Sequence, residues 1–150
     1  MLKIPFKDYT EIRRHGEETY PYECCGVLLG HMNGEVRTVS STARCQNTRL
    51  DSPENRYHID PKELVRIQRE ARERDEDIIG FYHSHPDHPA HWSKTDLEEA
   101  HWIGCSYVIT RVAGGKADVT NSFALLGTHE VDKAFTQEHI EVVPALTEPS

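Results

Sequence analysis

An apolar run, Asp77-Ile78-Ile79-Gly80-Phe81-Tyr82, ends in His83-Ser84-His85-Pro86, and Ser93-Lys94-Thr95-Asp96 follows one short loop later. A run this short and apolar reads as a strand buried on both faces. Residues two apart on a strand point the same way, so His83 and His85 project from one face and Ser84 from the other. Ser93 to Asp96 has the form of a capping box, which starts a helix expected over Leu97 to Trp102. Asp96 then swings back over the loop towards the histidines. Strand, loop and helix are thereby tied to one point, where two imidazoles, a carboxylate and the Ser93 hydroxyl gather. Three side-chain ligands leave one coordination position for water, as a hydrolytic metal site requires and a closed structural site does not. Two nitrogens and one oxygen suit zinc, one ion per chain. A general base is still needed near the metal, and the pair of histidines does not say which carboxylate supplies it.

The rest of the chain supports a mixed sheet. Lys7 to about Tyr20 has helical spacing at Tyr9, Ile12 and His15, limited by Pro21. Cys24 to Gly30 is a buried strand, and Asn33-Gly34 predicts a type I′ hairpin into Glu35 to Ala43. Residues 44–56 read as a long exposed loop, followed by a short strand around Tyr57 to Ile59. Asp60-Pro61-Lys62-Glu63 opens a helix to about Arg74. Ser106 to Val112 and Ala117 to Leu126 form a second hairpin around Gly114-Gly115, with an edge strand at Phe135 to Val143. The order implies an α/β layered architecture rather than a barrel or a doubly wound nucleotide fold. A chain of 150 residues reads as one domain, 1–143, with a frayed tail at 144–150.

Composition excludes several classes. The net charge of −8 provides no footprint for nucleic acid. Arg66, Arg69, Arg72 and Arg74 alternate with acidic residues and read as a salt-bridged helix face. No apolar run approaches the ~18 residues of a membrane span, and the start lacks a secretory signal, so a cytoplasmic address is expected. The four cysteines have no CxxC spacing and read as buried thiols, with Cys24 and Cys25 on opposite strand faces. His88 and His91 read as solvent-facing, His101 and Trp102 as packing residues, and Trp92 either walls the site or anchors its loop. The edge strands of the two hairpins allow a homodimer.

The spacing His83-x-His85-Pro86, six residues, then Ser93-x-x-Asp96 resembles the signature of the JAMM (MPN+) metalloprotease family. Tyr22-Glu23-Cys24-Cys25-Gly26-Val27-Leu28-Leu29-Gly30 is similar to that family's remaining element, a Glu ahead of a Gly-containing apolar strand. The resemblance spans about residues 5–126. It implies a JAB/MPN-type, cytidine-deaminase-like layered fold with a mixed central sheet flanked by helices. It also implies roles: His83, His85 and Asp96 bind zinc, Glu23 activates water and passes its proton to the leaving group, and Ser93 helps hold the developing oxyanion. The short form with Glu-Cys-Cys-Gly resembles the bacterial and archaeal branch. That branch acts on small ubiquitin-like sulfur-carrier proteins ending in Gly-Gly, releasing cysteine, trimming a tail or cutting isopeptide bonds. Residues 44–56 and 86–92 are the loops expected to form the groove for such a tail. Competing readings are a deubiquitinase-like isopeptidase, a non-catalytic MPN scaffold, which typically loses ligands, and a mononuclear iron(II) oxygenase, which needs neither Glu23 nor Ser93. A zinc nucleoside deaminase lacks its H-x-E and P-C-x-x-C elements here.

Overall fold

Eight strands and three helices alternate in the computed structural model, which describes residues 1–48 and 57–144. In chain order they are β1 (Leu2–Pro5), α1 (Phe6–Thr19), β2 (Cys25–Asn33), β3 (Val36–Cys45), α2 (Pro61–Glu73), β4 (Asp77–Pro86), α3 (Lys94–Glu99), β5 (Ser106–Ala113), β6 (Lys116–Leu126), β7 (Ala134–Glu138) and β8 (Ile140–Val143). All strands join one mixed sheet in the order β7-β6-β5-β4-β2-β3-β1-β8. The histidine-bearing β4 therefore lies centrally, antiparallel to β2 and parallel to β5.

Helices cover the two faces. On one, Ile12 of α1 packs with Cys24, Leu28, Tyr82 and Val108. On the other, Ile67 and Ala71 of α2 pack with Cys25, Val27, Phe81 and Tyr107. Cys24 and Cys25 thus fall in different clusters, as strand alternation requires, and all four cysteines are free and buried. Gly26 is needed where β2 faces β4, because a Cβ there would lie 2.2 Å from the Tyr82 ring. The interleaved charges of α2 pair along the helix, Arg66 with Glu63 and Glu70.

The sheet is curled further than the expected layers suggest. β7 and β8 occupy opposite ends of the strand order, yet only His139 separates them in the chain. One bent segment closes both edges, pairing β6 through β7 and β1 through β8. The single edge strand expected at Phe135 to Val143 is this pair. Where the edges meet, Glu138 is within 3.3 Å of Arg37 and accepts hydrogen bonds from Ser106 and Ser122 at 2.5 and 2.8 Å.

Several boundaries differ from the sequence reading. β1 was not expected: four residues ending in proline carry too little alternation to signal a strand, but Leu2 and Ile4 are buried. The first hairpin turns on Gly34-Glu35, between the paired Asn33 and Val36, with positive φ at Gly34. That is the type II′ pattern, not the type I′ turn on Asn33-Gly34. No strand forms at Tyr57 to Ile59, because the hydrogen bonds of His58 go to Asn47 Oδ1 and Thr48 instead of a ladder. Helix α3 ends at Glu99, since Ala100 is already extended (φ −87°, ψ 116°), so His101 and Trp102 lie beyond it. β3 and β6, the hairpin edges that seemed open to a second copy, are paired on both sides. Most of the loop expected at 44–56, and all but the first residue of the tail at 144–150, lie outside the described residues. No described helix is long and apolar enough to cross a membrane.

Candidate active site

The end of β4 delivers His83 and His85 to the α2 face, and both are buried. Their Nε2 atoms are 3.1 Å apart. Asp96 reaches the same point from the first turn of α3, with Oδ1 3.3 Å from His83 Nε2 and Oδ2 3.1 Å from His85 Nε2. A tetrahedral ion with donors at about 2.0 Å has donor–donor edges of about 3.3 Å. The Nε2–Nε2 separation matches that edge, and one Asp96 oxygen lies at a similar distance from each nitrogen, so the donors gather on the scale of a small cation.

His85 and Asp96 are aimed by local hydrogen bonds, and His83 by ring stacking. His85 Nδ1 lies 2.8 Å from the Pro89 carbonyl, so Nδ1 carries the proton and Nε2 keeps its lone pair for the site. Asp87 fixes the loop that carries Pro89. It holds a left-handed backbone (φ 58°), and its carboxylate accepts from the Tyr20 hydroxyl at 2.6 Å and the Gly114 N–H at 2.8 Å. The ring of Tyr57 stacks on His83 at 4.5 Å. Asp96 is held by the expected capping box: Ser93 N–H donates to Oδ2 at 2.9 Å, and Asp96 N–H donates to Ser93 Oγ at 3.0 Å. The exposed Ser93 hydroxyl accepts that bond and keeps its own proton to donate.

Glu23 enters from the residue pair just before β2. It is 4% exposed, and its nearest donor oxygen, His83 and His85 form a group whose donor atoms lie within 4.8 Å of one another. Its Oε1 has no hydrogen-bond partner among the described residues. Two carboxylates thus flank the imidazole pair, Asp96 in edge contact and Glu23 with an unsatisfied oxygen. In the field of the protein alone, burial, with the charges of Asp96 and Glu99, pushes Glu23 up to about 9. Burial also opposes ionisation of Asp96, but His83 and His85 overcome it and hold that carboxyl well below its ordinary range. Burial lowers His83 against the pull of Asp96. A neutral His83 beside an ionised Asp96 is the combination that metal binding needs.

All five residues singled out in the sequence come together here. Tyr57 and the Pro89 carbonyl were not foreseen as parts of the site, since stacking and backbone contacts leave no spacing signal. His88 and His91 are exposed, as expected. Trp92 anchors its loop, packing with Phe135 and the Ala90 cluster. His101 is exposed and bonds Glu130, against expectation, whereas Trp102 packs on Phe81. Next to the site lies an apolar cleft of about 520 Å³ whose walls include Tyr57, Leu64, Val65, Phe81, Trp102 and Tyr107. Of the two loops expected to form a groove, 86–92 provides none of these walls, and 49–56 lie outside the described residues.

The family described as prokaryotic homologs of the JAB domain matches residues 7–126. The chain belongs to this family. It is 39% identical to a desampylase of Haloferax volcanii over 89 residues, 59% of this chain and 62% of that protein. It is also 26% identical to the CysO-cysteine peptidase of Mycobacterium tuberculosis over 129 residues, 86% of this chain and 82% of that protein. Among solved structures, a protein from Desulfitobacterium hafniense superposes with a TM-score of 0.82 at 28% identity, covering 98% of this chain and 96% of that one. A Salinibacter ruber protein gives 0.70 at 35% identity, covering 99% and 95%.

Proposed function

We propose that this JAB-family chain is a zinc-dependent peptidase or isopeptidase that cuts the bond after the C-terminal Gly-Gly of a small sulfur-carrier or ubiquitin-like protein. The observation that carries this reading is the convergence of His83, His85 and Asp96 within 3.3 Å of one another, with the buried Glu23 beside them. His83, His85 and Asp96 would hold the ion. When bound, it supplies Lewis acidity and an acidified water at neutral pH. Glu23, outside the ligand set, takes a proton from the attacking water and returns it to the amine nitrogen as the C–N bond breaks. Ser93 donates a hydrogen bond to the carbonyl oxygen as charge builds there. Balanced over the cycle, one water is consumed and a carboxylic acid and an amine are released.

The named activities of the relatives supply the substrate class. The desampylase favours an isopeptide substrate and the CysO-cysteine peptidase a carrier bearing cysteine; both fit a cytoplasmic address. The apolar cleft beside Tyr57 offers a seat for the body of the partner. A non-catalytic scaffold would have no use for a complete set of ligands with a carboxylate buried beside them. The test is mass spectrometry of two probes incubated with the zinc-loaded protein. One is a Gly-Gly-terminated carrier extended by cysteine, and the other is the same carrier joined to a lysine side chain. Cleavage after Gly-Gly that stops with a chelator and returns with zinc is expected. Inertness towards both probes would overturn the reading.

A further inference from the structure

Ser84 stands between the two histidines but projects from the opposite face of β4, where α1 packs. A Cβ added at Gly16 of α1 would lie 3.2 Å from Ser84 Cβ. The β2–β4 ladder ends with the pair Cys25 and His83. The next pair would be Cys24 and Ser84, and in a regular hydrogen-bonded pair the two residues exchange both backbone bonds. Here Ser84 N–H donates to the Cys24 carbonyl at 3.3 Å, but Cys24 N–H donates to the Ser84 hydroxyl at 2.9 Å. Both residues are buried, at 2% and 1% exposure, so no solvent replaces that acceptor.

We propose that Ser84 is a positioning residue for Glu23: its hydroxyl extends the β2–β4 pairing by one residue and so fixes where the Glu23 side chain leaves β2. This rests on the reading of Glu23 as the general base. Strand alternation makes the effect selective. Cys24 and Ser84 share one face, whereas Glu23, His83 and His85 share the other, so loss of the hydroxyl releases the Glu23 segment while β4 still presents both histidines. The Glu23 backbone carbonyl also accepts from Asn47 Nδ2, at 3.3 Å. A displacement of about 1 Å at a catalytic group can cost roughly a hundredfold in rate.

The experiment compares wild type, Ser84→Ala, Ser84→Thr and Glu23→Gln, all zinc-loaded, on a Gly-Gly-terminated carrier bearing a fluorogenic amide. In Ser84→Ala we expect kcat to fall about tenfold or more with KM unchanged. Zinc affinity by chelator competition should stay within about threefold, because the ligands keep their strand. Amide exchange at Cys24, read by NMR, should accelerate at least about tenfold as its buried acceptor is lost. Ser84→Thr keeps the hydroxyl and should restore both kcat and amide protection. Wild-type kcat in Ser84→Ala, with Glu23→Gln inactive, overturns the inference and leaves the role of Glu23 standing. Parallel loss of zinc and activity in Ser84→Ala also overturns it, by showing a general structural role. Full activity of Glu23→Gln overturns the underlying reading, and the inference with it.

Discussion

At the scale of single residues, two carboxylates beside the same pair of imidazoles have been given opposite environments. Asp96 is ionised by its imidazole neighbours, while Glu23 is driven towards the protonated acid by burial and by the charge of Asp96. This separation allows one carboxylate to ligate and the other to carry a proton. Glu23→Gln should therefore retain one zinc per chain by metal analysis and lose about 10²–10⁴-fold in kcat. His83→Ala should lose both metal and activity. In the metal-free protein, carbon NMR should show Glu23 titrating near 9, and zinc should move that titration down, because a dication favours the carboxylate. Ser93 caps α3 by accepting from Asp96 N–H, and the proposed mechanism gives the same hydroxyl a second task as a donor to the substrate. Ser93→Ala should lower kcat by about a hundredfold through the second task. It should also lower stability by about 1 kcal/mol through the first, read by denaturant unfolding.

At the scale of elements, the parts built from local signals were legible in the sequence. The α2 start is set by Asp60, whose side chain accepts from Lys62 N–H, and by Pro61 at the first helical position. The Ser93–Asp96 box and the buried β4 were equally clear, and together they carry the three proposed ligands. Pairings between distant segments were not legible. Nothing in the four residues of β1 says that they lie parallel to β3, and nothing in Ala134 to Val143 says that its halves serve opposite edges. The role of Ser84 was hidden for the same reason, since it depends on a partner sixty residues earlier in the chain. Helix α1 shows a mixed case: Ile12 and His15 have the expected inward spacing, but the polar partner of His15 comes from β4. His15 and the Tyr82 hydroxyl share a buried hydrogen bond at 2.8 Å. Burial, with Arg44 nearby, lowers His15 to about 4, against the opposing charges of Glu11 and Glu18. Unfolded chains take up that proton at about 6.5, so the stabilising contribution is full above 6.5 and is lost as pH falls through about 4. Thermal melts of the metal-free protein from pH 7 to 4 should fall more steeply for wild type than for His15→Gln.

At the scale of the whole molecule, the curled sheet depends on the seam around Glu138. Arg37 and Glu138 are each 7% exposed at the side chain, and two serine hydroxyls and the Met1 ammonium also contact the carboxylate. Removing one member of a buried ion pair leaves the other charge without compensation, at about 3–5 kcal/mol. Glu138→Ala should lose stability on that scale in urea unfolding, whereas Arg37→Met with Glu138→Leu should lose less. Neither substitution touches the proposed zinc ligands, so any affinity for zinc at room temperature should be retained. The same seam bears on how the protein is made. The ten residues from Ala134 to Val143 cover β6 on one side and β1 on the other, so a nascent chain still lacking them exposes two unpaired strand edges at once. Every residue of the metal site will already have left the ribosome by then. The catalytic elements can gather early, but the molecule is guarded against sticking to its neighbours only when the last strands of the sheet emerge.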